Sequence, residues 1–130
     1  MAPIFHRPAA APRPVAPFSH AVECDGWVWL TGQMPTDPHA PDAPPPPGVQ
    51  AQTRRVMDNL GIVLDALGLG FADVVQCRVY LTDFAADYAA MNAVYASYFA
   101  PDRLPARTCV GVTALAVGAR VEIDLVARRP

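Results

Sequence analysis

Apolar residues recur along this chain at two spacings, and the change from one to the other marks out the elements. Over residues 50–67, Val56, Met57, Leu60, Val63, Leu64 and Leu67 return every three or four positions, while Arg54, Arg55, Asp58 and Asp65 lie opposite them. That is an amphipathic helix, and Gly68 and Gly70 mark its end. Val74 to Leu81 is rich in β-branched residues and bounded by Asp73 and Asp83. It predicts a strand with Val75, Cys77, Val79 and Leu81 on one face. A second helix is expected from Phe84 to Phe99, capped by Thr82 or Asp83 and stopped by Pro101. Phe84, Tyr88, Met91, Tyr95 and Tyr98 form its stripe, read as core packing rather than a ligand cradle. Two strands close the chain, Arg107–Ala114 and Arg120–Arg128. The short Leu115–Gly118 connection predicts that they form a hairpin. In the last strand Val121, Ile123 and Leu125 point one way and Arg120, Glu122 and Asp124 the other.

Near the start, Asp25-Gly26 is among the strongest two-residue turn signals. It joins Ser19–Cys24 to Trp27–Gln33 and sets Val22 opposite Trp29, His20 opposite Thr31 and Phe18 opposite Gln33. A one-residue slip would flip every side chain. The order ββαβαββ gives an α+β domain in which two helices cover one face of a four- to six-stranded mixed sheet. The other face is expected to carry Thr31, Arg107, Cys109 and Glu122. Such a face is too polar for a monomer core, which points to a homo-oligomer. Trp27 and Trp29, alternating with Val28 and Leu30, fit an interface better than a stacking platform.

Twelve of the fifteen prolines fall in residues 1–48. Residues 1–16 read as an extended, weakly ordered Pro-rich arm, followed by a single domain over 17–130. Pro35 to Gly48, with prolines at all of 44–47, reads as a stiff surface loop, a plainer account than a polyproline ligand for a partner.

A chain of 130 residues can bury about 68% of its unfolded surface, enough for a core without staples. With 52% hydrophobic and 17% charged residues, intrinsic disorder is excluded. The net charge of −2 and pI near 5.8 show no basic footprint for nucleic acid. All ten basic residues are Arg. Schiff-base chemistry and a phosphate-loop lysine are thereby excluded. Cys24, Cys77 and Cys109 are odd in number and far apart, as expected of reduced thiols rather than a disulfide scaffold or metal clip. His6, His20 and His39 lack metal-ligand spacing, and no glycine-rich nucleotide motif occurs. With no signal segment and no run of membrane length, a soluble cytoplasmic protein is expected.

The candidate chemistry centres on Arg107, which begins a strand just after Pro105-Ala106. Its planar fork matches a carboxylate with two parallel bonds. If the last two strands pair as a hairpin, Cys109 faces a residue near Glu122 and Arg107 lies diagonal to it. Cation, thiol and carboxylate would then converge. The bland alternative is a structural Arg107–Glu122 ion pair. Cys109 as a nucleophile needs a histidine, and nothing fixes His20 beside it. Asp65, Asp73 and Asp83 read as solvated helix and turn acids.

Seven short segments, in order over about residues 17–128, resemble the RidA/YjgF family of reactive-intermediate deaminases. Pro17-Phe18-Ser19-His20-Ala21-Val22 resembles its "PYSxAV" opening and Thr31-Gly32-Gln33-Met34-Pro35 its "SGQxP" element. Gln52-Thr53-Arg54 through Asn59-Leu60 resembles "QTrxvxxNL"; Asp73-Val74-Val75 with Leu81-Thr82-Asp83 resembles "DVVkxxvyLtD". Met91-Asn92-Ala93-Val94-Tyr95, Pro105-Ala106-Arg107-Thr108 and Val121-Glu122-Ile123-Asp124 resemble "MNxvY", "PAR[ST]" and "vEIdaiA". The resemblance implies a chorismate-mutase-like fold and a homotrimer with active sites in the clefts between subunits. It implies hydrolysis of 2-enamine and 2-imine acids, such as 2-aminoacrylate and 2-iminopropionate, to 2-oxo acids and ammonia without cofactor or metal. By the same resemblance Arg107 clamps the substrate carboxylate, Glu122 positions water, and Phe18, Thr31, Gly32 and Cys109 line the pocket. Phe18 departs from the family's Tyr, keeping the ring and losing the hydroxyl.

Three other readings compete. A non-catalytic module could hold a small 2-oxo or amino acid with the same Arg107, although binding alone does not need Glu122. A specialised catabolic deaminase for an aminomuconate-like enamine is kept open by Phe18 and the long loop. Endoribonuclease activity, an older label for some family members, is disfavoured by the acidic pI and the lack of Lys.

Overall fold

The computed structural model describes residues 2–130. Its elements are β1 (Ile4–His6), β2 (Ala21–Cys24), β3 (Trp27–Gln33), α1 (Val49–Ala66), β4 (Val74–Leu81), α2 (Phe84–Ala96), β5 (Ala106–Gly111) and β6 (Val121–Arg128). They form one six-stranded mixed sheet in the order β1-β2-β3-β6-β4-β5, with both helices packed on one face.

The β2–β3 hairpin turns as the sequence predicts. Asp25 and Gly26 both have positive φ (53° and 81°), the geometry of the tight turn that matches strand twist. Val22 pairs with Trp29 and Ala21 with Leu30, and the Thr31 N–H donates to the His20 carbonyl at 3.0 Å. The expected Phe18–Gln33 pair does not form. Beyond Leu30 the ladder to β6 is bulged and Gln33 pairs with Ile123, while the Phe18 N–H turns back to Ala16. Upstream, Ile4–His6 of the Pro-rich arm adds a strand along β2. It is clasped by Glu23, which accepts from Arg129 at 2.9 Å and meets His6 at 3.0 Å. The Arg129 guanidinium, beside Glu23, holds that carboxyl down to about 2.

Helix α1 buries Val56, Met57, Leu60, Val63 and Leu64. It ends in paired bonds from Leu69 to Leu64 and from Gly68 to Asp65, the glycine-terminated motif that satisfies its last carbonyls. Asp83 caps α2 by accepting from the Ala86 N–H. The α2 stripe differs from expectation. Met91 and Tyr95 are buried, whereas Phe84 and Tyr88 are more than a third exposed. Cys77, Val79 and Leu81 face the helices, but a bulge between Val74 and Gln76 turns Val74 inward and Val75 outward.

The principal correction concerns β5. It pairs in parallel with β4 and not with β6, which lies between β3 and β4. Residues 112–120 cross the end of β4: the Val112 N–H bonds to Leu81 and the Thr82 N–H to Arg120. The connection read as a hairpin loop therefore straddles an intervening strand. Spacing alone cannot tell a short loop from a short crossover when an alternating strand such as Val121–Ala127 also fits the centre of a sheet.

Candidate active site

Arg107 enters the sheet two residues after Pro105. Parallel register sets it beside Cys77, a core residue, so its side chain lies on the helix-covered face. Nη1 donates to Asn92 Oδ1 at 2.7 Å and Nη2 to the Tyr88 hydroxyl at 3.3 Å. The guanidinium carbon stands 5.0 Å from the Tyr95 ring centre and 5.8 Å from that of Tyr88. Tyr88, Asn92 and Tyr95 recur four and three apart on α2, so one helical stripe supplies the whole cradle. It uses two of the five guanidinium N–H groups and fixes the plane of the fork. A shallow depression lined by Asn92, Tyr95, Leu104, Pro105 and Arg107 opens beside it.

Cys109 follows two residues later on the same face, packed against the core. Burial pushes its thiol up, opposed by the Arg107 charge. Burial also pushes Cys77 up to about 11. Neither is a poised thiolate.

Glu122 sits on β6 opposite Tyr80, on the open face of the sheet. Its carboxylate lies against Gly32, where any Cβ would overlap it. The β3 bulge that carries Thr31 and Gly32 thus makes the space for Glu122 to fold back. Burial, and secondarily the like charge of Asp124, push the Glu122 carboxyl above the usual range. Asp124 itself accepts two bonds from Arg78, both at 2.9 Å, and one from Tyr80. Glu122 has no such cation among the described residues. The Thr31 hydroxyl donates to the Ser19 carbonyl at 2.6 Å, leaving its oxygen able to accept. Phe18 and Gly32 share a depression with Pro12, Arg13, Gln33 and Met34.

The predicted site residues therefore fall into two groups. Phe18, Thr31, Gly32 and Glu122 are together; Arg107 and Cys109 are together on the other face of the sheet. The Arg107–Glu122 ion pair and the Cys109–Glu122 facing pair do not exist within the chain, because β4 intervenes and the pleat sends Arg107 and Glu122 to opposite faces. Sequence reasoning also missed the cradle of Tyr88, Asn92 and Tyr95. Its signal was an amide set in an aromatic helical stripe, where a core would have an aliphatic.

Comparison with known proteins identifies the scaffold. The profile of the endoribonuclease L-PSP family matches residues 8–129. This chain belongs to the RidA/YjgF family. A RutC family protein of Synechocystis is 40% identical over 94% of this chain and 93% of its own. A goat protein named 2-iminobutanoate/2-iminopropanoate deaminase is 39% identical over 92% and 85%. The crystal structure of RidA from an Antarctic Psychrobacter superposes with a TM-score of 0.89 at 32% identity, covering 96% of this chain and 98% of that one. The two-helix, six-strand RidA fold is thus shared across nearly the whole chain. No helix among the described residues is long and apolar enough to cross a membrane.

Proposed function

We propose that the protein hydrolyses 2-enamine and 2-imine acids of the 2-iminopropanoate type to 2-oxo acids and ammonia, in sites completed between subunits of a homotrimer. The observation that carries this reading is the split itself. An oriented guanidinium with spare donors lies on one face of the sheet, and a desolvated carboxylate without a cation lies on the other. Each is half of a site, and a second copy of the chain would supply the missing half. Exposed Trp27 and Trp29 on the Glu122 face support burial of that face against a neighbour. Relatives named as imine deaminases support the reaction.

Arg107 grips the substrate carboxylate with two parallel bonds and fixes the C=N carbon, a gain in proximity. Glu122 accepts a hydrogen bond from water. As the water oxygen bonds to that carbon, the C=N π pair moves to nitrogen and Glu122 takes the water proton. Glu122 returns that proton to nitrogen, which gives the carbinolamine; in its collapse Glu122 relays the remaining hydroxyl proton to nitrogen, the C–N bond breaks with its electron pair on nitrogen, ammonia leaves and the carbonyl forms. A positioned acid–base group contributes about 10²–10⁴ in rate, enough for an imine that already hydrolyses unaided, so no cofactor is required. RNA cleavage is not proposed despite the family's older name, since the acidic chain without lysine offers little to a phosphate backbone.

The test is ammonia and oxo-acid release from 2-iminopropanoate generated in situ by an amino-acid oxidase. Arg107→Ala is expected to abolish the acceleration while the oligomer persists. Full activity in that variant discards the assignment, and tight oxo-acid binding by the wild type without turnover favours a binding module.

A further inference from the structure

Residues 7–19 carry the chain from β1 to β2, and one buried side chain outside the machinery described so far sets the shape of this loop. Its base is closed by the His20 N–H, which donates to the His6 carbonyl at 3.0 Å. From that base the His20 ring reaches back into the loop, and its Nε2–H donates to the Pro12 carbonyl at 2.6 Å. A carbonyl only accepts, so this bond fixes a proton on Nε2. His20 and Pro12 are both buried. Nδ1 is buried too and has no partner among the described residues, which leaves the Pro12 bond as the ring's polar anchor. Further along the loop the ties are local, as from the Phe18 N–H to Ala16, or exposed, as between Arg13 and Asp42. Prolines stand at 12, 14 and 17 and stiffen the backbone between Pro12 and Phe18. A grip on Pro12 is therefore transmitted to Phe18 through a short rigid arch. Pro12, Pro14 and Val15 of the arch enclose with Phe18, Gly32 and Met34 a space of only about 10 Å³, about one water. The arch thus lies directly behind Phe18 and Gly32, and Gly32 in turn backs the Glu122 carboxylate.

We propose that His20 is a positioning residue: by holding Pro12 it fixes the arch that sets Phe18, and with it the wall of the substrate pocket beside Glu122. This rests on the deaminase reading above and takes Phe18, next to the Gly32 that backs Glu122, as a wall of that pocket. The backbone bonds that join His20 to His6 and to Thr31 survive any substitution of the ring. What the ring adds is the Pro12 bond. Its loss frees the arch and Phe18 while Thr31, Gly32 and Glu122 stay in place. The effect therefore falls on substrate binding and not on the attack of water.

The experiment is steady-state kinetics on 2-iminopropanoate, generated in situ, for the full-length protein and the variants His20→Leu, His20→Gln and His20→Asn. His20→Leu is expected to raise KM about fivefold or more with kcat within about twofold of wild type, the signature of lost binding. A merely structural role would lower kcat, by shrinking the folded fraction, and leave KM alone. The Gln amide nitrogen stands where Nε2 does and can bond Pro12, so His20→Gln should restore KM. The Asn amide is too short to reach, so His20→Asn should behave as His20→Leu. Should His20→Leu fail to fold, the contrast between Gln and Asn carries the same comparison. The route through Phe18 is read from a double-mutant cycle: in a Phe18→Ala background, replacing His20 should change KM by less than about twofold. An unchanged KM in both His20→Leu and His20→Asn, a Gln variant as impaired as Asn, or an effect that adds in full to that of Phe18→Ala overturns the proposal and leaves the deaminase reading standing. A wild-type protein that does not turn over the imine sinks the deaminase reading and, with it, this one.

Discussion

Gly32 and Glu122 show how one missing side chain can set the chemistry of another residue. Because a Cβ at position 32 would overlap the carboxylate, Glu122 can fold against backbone and lose water. That burial pushes its carboxyl up. If the carboxylate form steers the nucleophilic water, kcat/KM must fall on the acid side with a midpoint above the ordinary glutamate value of about 4.3. Glu122→Gln is expected to remove most of the rate and, in what remains, this acid limb. A limb that survives unchanged in Glu122→Gln assigns the titration to another group. Val117 is the opposite kind of residue, a β-branched side chain at φ 55°, exposed at 45% and stabilised there by no core contact. Holding such a residue left-handed costs about 1–2 kcal/mol, and Asn tolerates the region far better. Val117→Asn should raise stability by about 1 kcal/mol, visible as a thermal midpoint higher by about 3–5 °C. An unchanged or lower midpoint would show that the loop carries no strain.

At the scale of elements, α2 carries the cradle of Arg107, and its own position depends on an ion pair between a buried Asp87 and a part-exposed Arg120. Asp87, 4% exposed, accepts from Arg120 at 2.8 and 2.7 Å. This ties the first turns of α2 to the start of β6. Gln52 adds α1 by accepting from the Arg120 N–H at 2.8 Å. Asp87→Ala leaves a guanidinium without its partner. Since the Arg120 side chain is already 42% exposed and can regain water, the cost should fall well below that of a fully buried pair, read as a modestly lower thermal midpoint. Tyr88 adjoins Asp87 in sequence and its hydroxyl accepts from Arg107, so loosening this turn should raise KM more than it lowers kcat, read from steady-state kinetics on 2-iminopropanoate. Equal losses in both would place the effect elsewhere. Most of this level was legible in the chain. The periods of α1 and β4 and the Asp25-Gly26 turn are local signals, and each formed within a residue or so of the expected limits. What escaped were the non-local choices: which neighbour β5 takes, and which face its side chains then occupy. Arg107 was identified by its chemistry, but its partners Tyr88, Asn92 and Tyr95 lie on a different element. No spacing within β5 could reveal them.

For the molecule as a whole, the proposed function joins Arg107 of one subunit with Glu122 of the next, and that reading has a consequence that a self-contained site would not share. In a closed ring, a site that takes Arg107 from one subunit and Glu122 from the next can be rebuilt from two inactive chains. Arg107→Ala retains a good carboxylate, and Glu122→Gln retains a good guanidinium. In mixed oligomers formed at equal amounts, an intact site needs a Glu122→Gln subunit on its arginine side and an Arg107→Ala subunit on its glutamate side. Random mixing supplies that arrangement in about a quarter of sites. Co-expressed or co-refolded variants should therefore recover about a quarter of wild-type ammonia release, while each variant alone stays near background. The same fraction follows for any closed ring, so the measurement tests the sharing of the site independently of subunit number, which a sedimentation experiment gives separately. No recovery in demonstrably mixed oligomers would mean that Arg107 and Glu122 never serve one substrate, and the split seen across the sheet would then mark two unrelated features.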